Sequence, residues 1–212
     1  IRISLEGVDR GLEEAARTYR KYGIALMFIS QGITEWGSLK NSEAIRDSML
    51  AVSGTLNSKR FGPAFRPAIP LAAIEANTDK GNVWKPSSDT EANRRSIYVY
   101  VKRGLIVPMF ETLDLADTVS SCPQRQVTTV APQALTLFNS EFTRQQTRAF
   151  AERLCREAPD GEDQQIELAW RLALCRAPST TELQAMREFL KEESLEQLCR
   201  VVLNLNEFVY PE

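Results

Sequence analysis

"RRSIYVYVKR", residues 94–103, is the stretch whose reading decides between an all-helical chain and a mixed one. Ile97, Val99 and Val101 fall on one side of an extended backbone, and Tyr98, Tyr100 and Lys102 on the other. Such period-two alternation of β-branched and aromatic residues is the signature of a strand, and this is its clearest instance in the chain. The spacing predicts a small β element here. How far the fold departs from all-α then depends on what lies to either side.

Downstream, the pattern turns helical. Residues 131–139 and 140–156 carry apolar positions at helical spacing, and Ser140 stands ready to cap the second of them, whose buried side holds Phe142, Ala149, Phe150 and Leu154. Residues 163–175 follow, with Ile166, Leu168, Ala169, Trp170 and Leu172 as core candidates. "PSTTELQAMREFLKEE", residues 178–193, places Glu182 three positions after Ser179, the pattern of a capping box. Residues 194–206 complete the series through Leu195, Leu198, Val201, Val202 and Leu205. Short connections between such helices predict an antiparallel packed bundle.

Upstream, "SEAIRDSMLAVS", residues 42–53, reads as a helix with Ser42 at its start, Ile45, Met49 and Val52 on its apolar face, and Gly54 at its stop. Residues 55–91 are loop-rich, with Pro63, Pro67, Pro70 and Pro86 and no sustained period. Before them, residues 8–22 have helical spacing, and "IALMFIS", residues 24–30, is a short apolar run between Gly23 and Gly32 that reads as a buried strand. The expected fold is mainly α, a C-terminal antiparallel helical bundle with a small β element, α+β at most. The expected domains are an N-terminal helix–strand segment, 1–41, and a second unit, 42–212.

Composition narrows the chemistry. The 212 residues contain no histidine, which removes Ser-His-Asp and Cys-His nucleophilic catalysis and most zinc sites. The net charge of −2 argues against a general nucleic-acid binder. Charge is uneven, with five basic and three acidic residues over 92–131 but nine basic and fourteen acidic over 132–212. Cys122, Cys155, Cys175 and Cys199 contain no C-x-x-C pair, and the last three each follow a leucine in a helical pattern, where cysteine usually behaves as a small buried hydrophobe. No apolar run approaches the roughly 18 residues of a membrane span. No signal peptide is visible, and the start at Ile1 rather than Met reads as a fragment. Neither a cofactor nor a metal is expected.

Three groups of residues carry candidate chemistry. Glu111, Asp114 and Asp117, in the short helical turn "VPMFETLDLAD", have the makings of a paired acid–base site, or of ion pairs with Arg94, Arg95 or Arg103. Tyr98 and Tyr100, beside Arg94, Arg95 and Arg103, offer a face for a sugar ring or a base, or cover for the helical layer. In "SSCPQRQVTT", residues 120–129, Arg125 favours a Cys122 thiolate, while Pro123 and the threonines describe a turn that delivers the next helix. The binding candidates are therefore Arg94, Arg95, Tyr98, Tyr100, Arg103 and Arg125.

From about residue 42 onward the stretches "EAIRDSMLAVSG", "NRRSIYVYVKR", "PMFETLDLAD", "SCPQRQVTTVAPQALTLFN" and "LCRVVLNLNEFVY" resemble, in order and spacing, the C-terminal domain of a large family of exported bacterial proteins. That family is abundant in planctomycetes, and its full-length members often carry a cytochrome-c-like module. The domain itself has no known function. The resemblance implies an extracytoplasmic setting, partners among the other domains of a parent protein or an envelope or polysaccharide component, and haem binding confined to another module. A non-catalytic binding module is the reading that follows, with a carboxylate-based hydrolase as the alternative. Residues 10–31, which include "ARTYRKYGIALMFISQ", resemble a segment of FtsK/HerA/VirB4-type motor ATPases, which makes a fragment of a DNA-translocating ATPase the third reading. No G-x-x-x-x-G-K-[ST] phosphate loop accompanies it.

Overall fold

A computed structural model describes residues 42–76, 84–102, 104–115 and 131–210. Among these the chain is mainly α and contains no sheet. In chain order the helices are α1 (Ser42–Ser53), α2 (Leu71–Ala76), α3 (Asp89–Ala92), α4 (Pro108–Thr112), α5 (Ala131–Asn139), α6 (Glu141–Glu157), α7 (Glu162–Leu174), α8 (Thr180–Leu190), α9 (Leu195–Val202) and α10 (Asn206–Val209). A single 3-10 turn, Ser96–Tyr98, lies between α3 and α4.

The helix ends follow local chemistry. Ser140 Oγ accepts the Thr143 N–H at the start of α6, and Ser194 Oγ accepts that of Gln197 at the start of α9. Ser179 and Glu182 form the full capping box of α8. At the far end of α1, Gly54 takes φ +76°, the left-handed conformation that suits glycine at a helix stop. The Arg153 guanidinium donates to the Ala51 and Val52 carbonyls there, at 3.1 and 2.8 Å, so a side chain from α6 completes the cap of α1. The expected helix over 194–206 divides into α9 and α10. At that break Asn204 Nδ2 donates to the Arg200 carbonyl and takes over an acceptor the helix leaves open.

Helix α6 is the centre of the bundle. It packs on α9 and α1 and also meets α5 and α7. Its buried face, Thr143, Gln146, Thr147, Phe150 and Leu154, repeats every three or four residues. The main core joins Met49, Phe150, Leu154, Ile166, Leu198 and Val202, among others. Gln146 is buried as well, and its Oε1 accepts from Ser53 Oγ (2.8 Å) and Thr55 Oγ1 (2.7 Å). Of the cysteines read as buried hydrophobes, only Cys199 is one, and burial pushes its thiol well above the ordinary range. Cys155 and Cys175 are exposed, because they fall outside the stripe that faces the core.

Residues 94–102 do not form the expected strand. Ser96–Tyr98 coils into the 3-10 turn, which breaks the period of two. Val99 is buried, whereas Ile97 and Val101 are exposed. What remains extended makes isolated bridges, Asn57 with Arg94 and Phe65 with Val99. A second, smaller core of Phe65, Val99 and Phe110 lies under this layer.

Candidate functional site

The layer built from residues 55–67 and 84–102 has little regular structure, so its backbone polar groups need partners from elsewhere. Two buried arginines supply them. Arg46, on α1, is 3% exposed. Its Nη1 donates to the Arg94 carbonyl (3.0 Å) and to Ser96 Oγ (3.1 Å), and its Nη2 donates to the Ala92 carbonyl. Its guanidinium lies between two aromatic rings, 5.4 Å from the centroid of Phe65 and 5.2 Å from that of Phe142. One ring belongs to the small core and the other packs against the main one, so Arg46 joins the two. Burial pulls its pKa down to about 10, opposed by the charge of Asp47, and it stays protonated at neutral pH. Asp47 Oδ1 in turn accepts the Ser96 N–H and Oγ–H, each at 2.7 Å, which fixes the 3-10 turn.

Arg94 is fully buried. Its Nη1 donates to the Pro63 carbonyl (2.9 Å) and reaches Glu91 Oε2 (3.3 Å); its Nη2 donates to the Phe61 carbonyl. Its guanidinium covers the Tyr98 ring at 4.4 Å, and its Nε has no hydrogen-bond partner. The Tyr98 hydroxyl accepts the Phe61 N–H at 3.1 Å. Asn57 Nδ2 donates to the Thr90 carbonyl and its Oδ1 accepts the Lys59 N–H. The segment from Asn57 to Phe65 is thereby pinned along its length. The result is a latched surface tip carrying Lys59, Arg60 and Phe61.

The expected binding residues thus serve mostly as scaffold. Arg94 and Tyr98 are the latch. Arg95 is exposed and pairs with Asp47 at 3.3 Å. Tyr100 lies beneath Arg66, whose guanidinium is 4.3 Å from its ring, and beside Trp84 at 6.2 Å. Arg103, Arg125 and Asp117 lie outside the described residues, as do Cys122 and the threonines of its turn. Of the remaining carboxylates, Glu111 is exposed on α4, while Asp114 takes φ +61° and accepts from Gln133 Nε2 at 3.1 Å. Burial, and then the charge of Asp114, raise the pKa of Tyr210. Among the described residues no group of three His, Cys, Asp or Glu side chains is gathered for a metal. An open groove between α6 and α9 is lined by Arg148, Glu152, Cys155, Arg156, Leu195 and Glu196, with its charges balanced.

Sequence reasoning missed Arg46 and Phe61. Arg46 had a signal, since it sits three and four positions before Met49 and Leu50, inside the apolar face of α1. A charge in that stripe must find buried partners. Phe61 had only the following Gly62 to mark a turn.

Neither a curated protein nor a solved structure matches the chain. Residues 40–190 match a protein family, and this stretch takes in the latched layer and the bundle as far as α8. The chain belongs to the family described as PSD1, protein of unknown function (DUF1553).

Proposed function

We propose that this domain is a non-catalytic interaction module of a larger exported bacterial protein. It docks to a neighbouring domain of that protein or to an envelope or polysaccharide component. One observation carries the reading: two buried arginines hold an irregular surface layer in a single shape. Burying two guanidinium groups is costly, more so with Arg94 Nε left without a partner, and stability alone is served as well by apolar packing. A pre-set surface, by contrast, lowers the ordering cost of association.

The candidate carboxylates support this reading over a hydrolase. Asp114 is engaged by Gln133, and Glu111 stands exposed to water. The test is hydrogen–deuterium exchange on this chain alone and within its longer parent polypeptide. Slower exchange over residues 57–67 and 94–101 in the parent is expected. Identical exchange there, together with hydrolysis of a polysaccharide that Asp114→Asn abolishes, would establish the hydrolase instead.

A further inference from the structure

Phe61 combines three properties that rarely coincide. It is 78% exposed, it takes φ +61°, and it is held there by a dedicated latch. Gly62 follows at φ +93°. Two successive positive φ values form a turn that favours Asn, Asp or Gly at its first position and disfavours a bulky aromatic. Burial of the ring does not offset that strain, because the ring faces water. Backbone strain kept in place by surrounding hydrogen bonds is a mark of functional positions.

We infer that the tip at residues 59–63 is a docking knob, with the Phe61 ring entering an apolar socket on a partner protein whose rim carries carboxylates. This rests on the interaction reading and names the class of partner. The acidic rim follows from charge. Lys59 is paired with Glu91, but Arg60, exposed beside Phe61, has no carboxylate partner among the described residues. Residues 55–70 and 84–102 hold seven basic and two acidic side chains, whereas residues 131–210 hold nine basic and thirteen acidic. With Arg94 buried and Arg95 and Lys59 paired to Asp47 and Glu91, the exposed charge left beside Phe61 is that of Arg60.

A protein is favoured over a polysaccharide for a chemical reason. A sugar needs polar groups beside the stacking ring to take its hydroxyls. Here the Asn57 side chain is committed to backbone groups and the Tyr98 hydroxyl to the Phe61 N–H. The other large exposed apolar side chains of this layer are Ile97 and Val101, 76% and 58% exposed, which suit an apolar protein surface. A fixed, exposed aromatic of this kind is a typical binding hot spot.

The test selects binders of the full chain from a displayed random-peptide library and measures their affinity by fluorescence anisotropy. Enriched peptides should combine Asp or Glu with apolar residues and bind more weakly as salt rises. Phe61→Gly keeps the turn and should weaken them by more than about tenfold, with the melting temperature not lowered. Arg60→Glu should weaken them too. Peptide binding that survives Phe61→Gly overturns the knob and leaves the interaction reading in place. Failure to enrich acidic–apolar peptides overturns the partner class. So does Phe61-dependent binding of alginate or dextran sulfate, or Phe61-dependent self-association in sedimentation.

Discussion

At the scale of single residues, Arg46 and Phe61 make opposite contributions. Arg46→Met keeps length and apolar contact but leaves the Ala92 and Arg94 carbonyls without their donor and Asp47 without one of its two cations, Arg95 being the other. Removing one partner of a buried charged network costs about 2–4 kcal/mol. A denaturant midpoint lowered to that extent, with helix content by circular dichroism nearly unchanged, is the expected result. Unchanged stability would mean that water replaces the guanidinium and that Arg46 does not join the two cores. Phe61→Gly runs the other way. Glycine removes the left-handed strain of about 1–2 kcal/mol and adds unfolded-state entropy of about 0.5–1 kcal/mol. The ring's loss removes little buried area, since it is largely exposed. The variant should be as stable as the parent or up to about 1 kcal/mol more stable. A drop in thermal midpoint would show that the ring packs.

At the scale of elements, the C-terminal helices were legible because their signals are local. Helix α5 spans the expected residues, α6 and α7 start or stop within a residue of expectation, and the α8 capping box is present in full. Each depends on side chains within about one turn of the backbone they satisfy. One further interaction at α8 was not legible. Arg176 bridges Glu182 in the first turn of α8 to Glu207 in α10, with contacts of 2.6–2.9 Å. That pairing with Arg176, together with the Ser179 bonds, holds the Glu182 carboxyl down at about 2, against an ordinary 4.5. A carboxylate with a depressed folded-state pKa adds stability above its unfolded value and loses it as pH falls through the folded one. Wild type should therefore lose its advantage over Glu182→Gln between pH 4.5 and about 2. Both partners are about a third exposed, so solvent screening keeps the salt-bridge share to at most about 1 kcal/mol. A stability difference that is flat across that window would assign the effect of Glu182 to its capping geometry alone.

At the scale of the whole molecule, the buried apolar side chains of both described cores lie between Ile45 and Val209. Deleting residues 1–40 should leave a protein that unfolds in one cooperative step in denaturant, with the excised segment unfolded or aggregated. A truncated chain with helix content but no cooperative transition would make "IALMFIS" part of one shared core. From the sequence alone came the helical class, most helix ends, the histidine-free chemistry, and the loop-rich character of residues 55–91. These depend on composition or on contacts a few residues apart. The tertiary structure alone decided that Arg94 and Tyr98 are scaffold and that Phe61 is what the layer presents. The Arg46 and Arg94 guanidinium groups that hold this layer donate to the backbone carbonyls of Phe61, Pro63, Ala92 and Arg94, up to 48 positions away from their donors. Every residue except proline carries the same N–H and C=O, and proline the same C=O, so no residue type marks where such a bond will form. Whether an arginine binds a partner or its own chain depends on which loop crosses it.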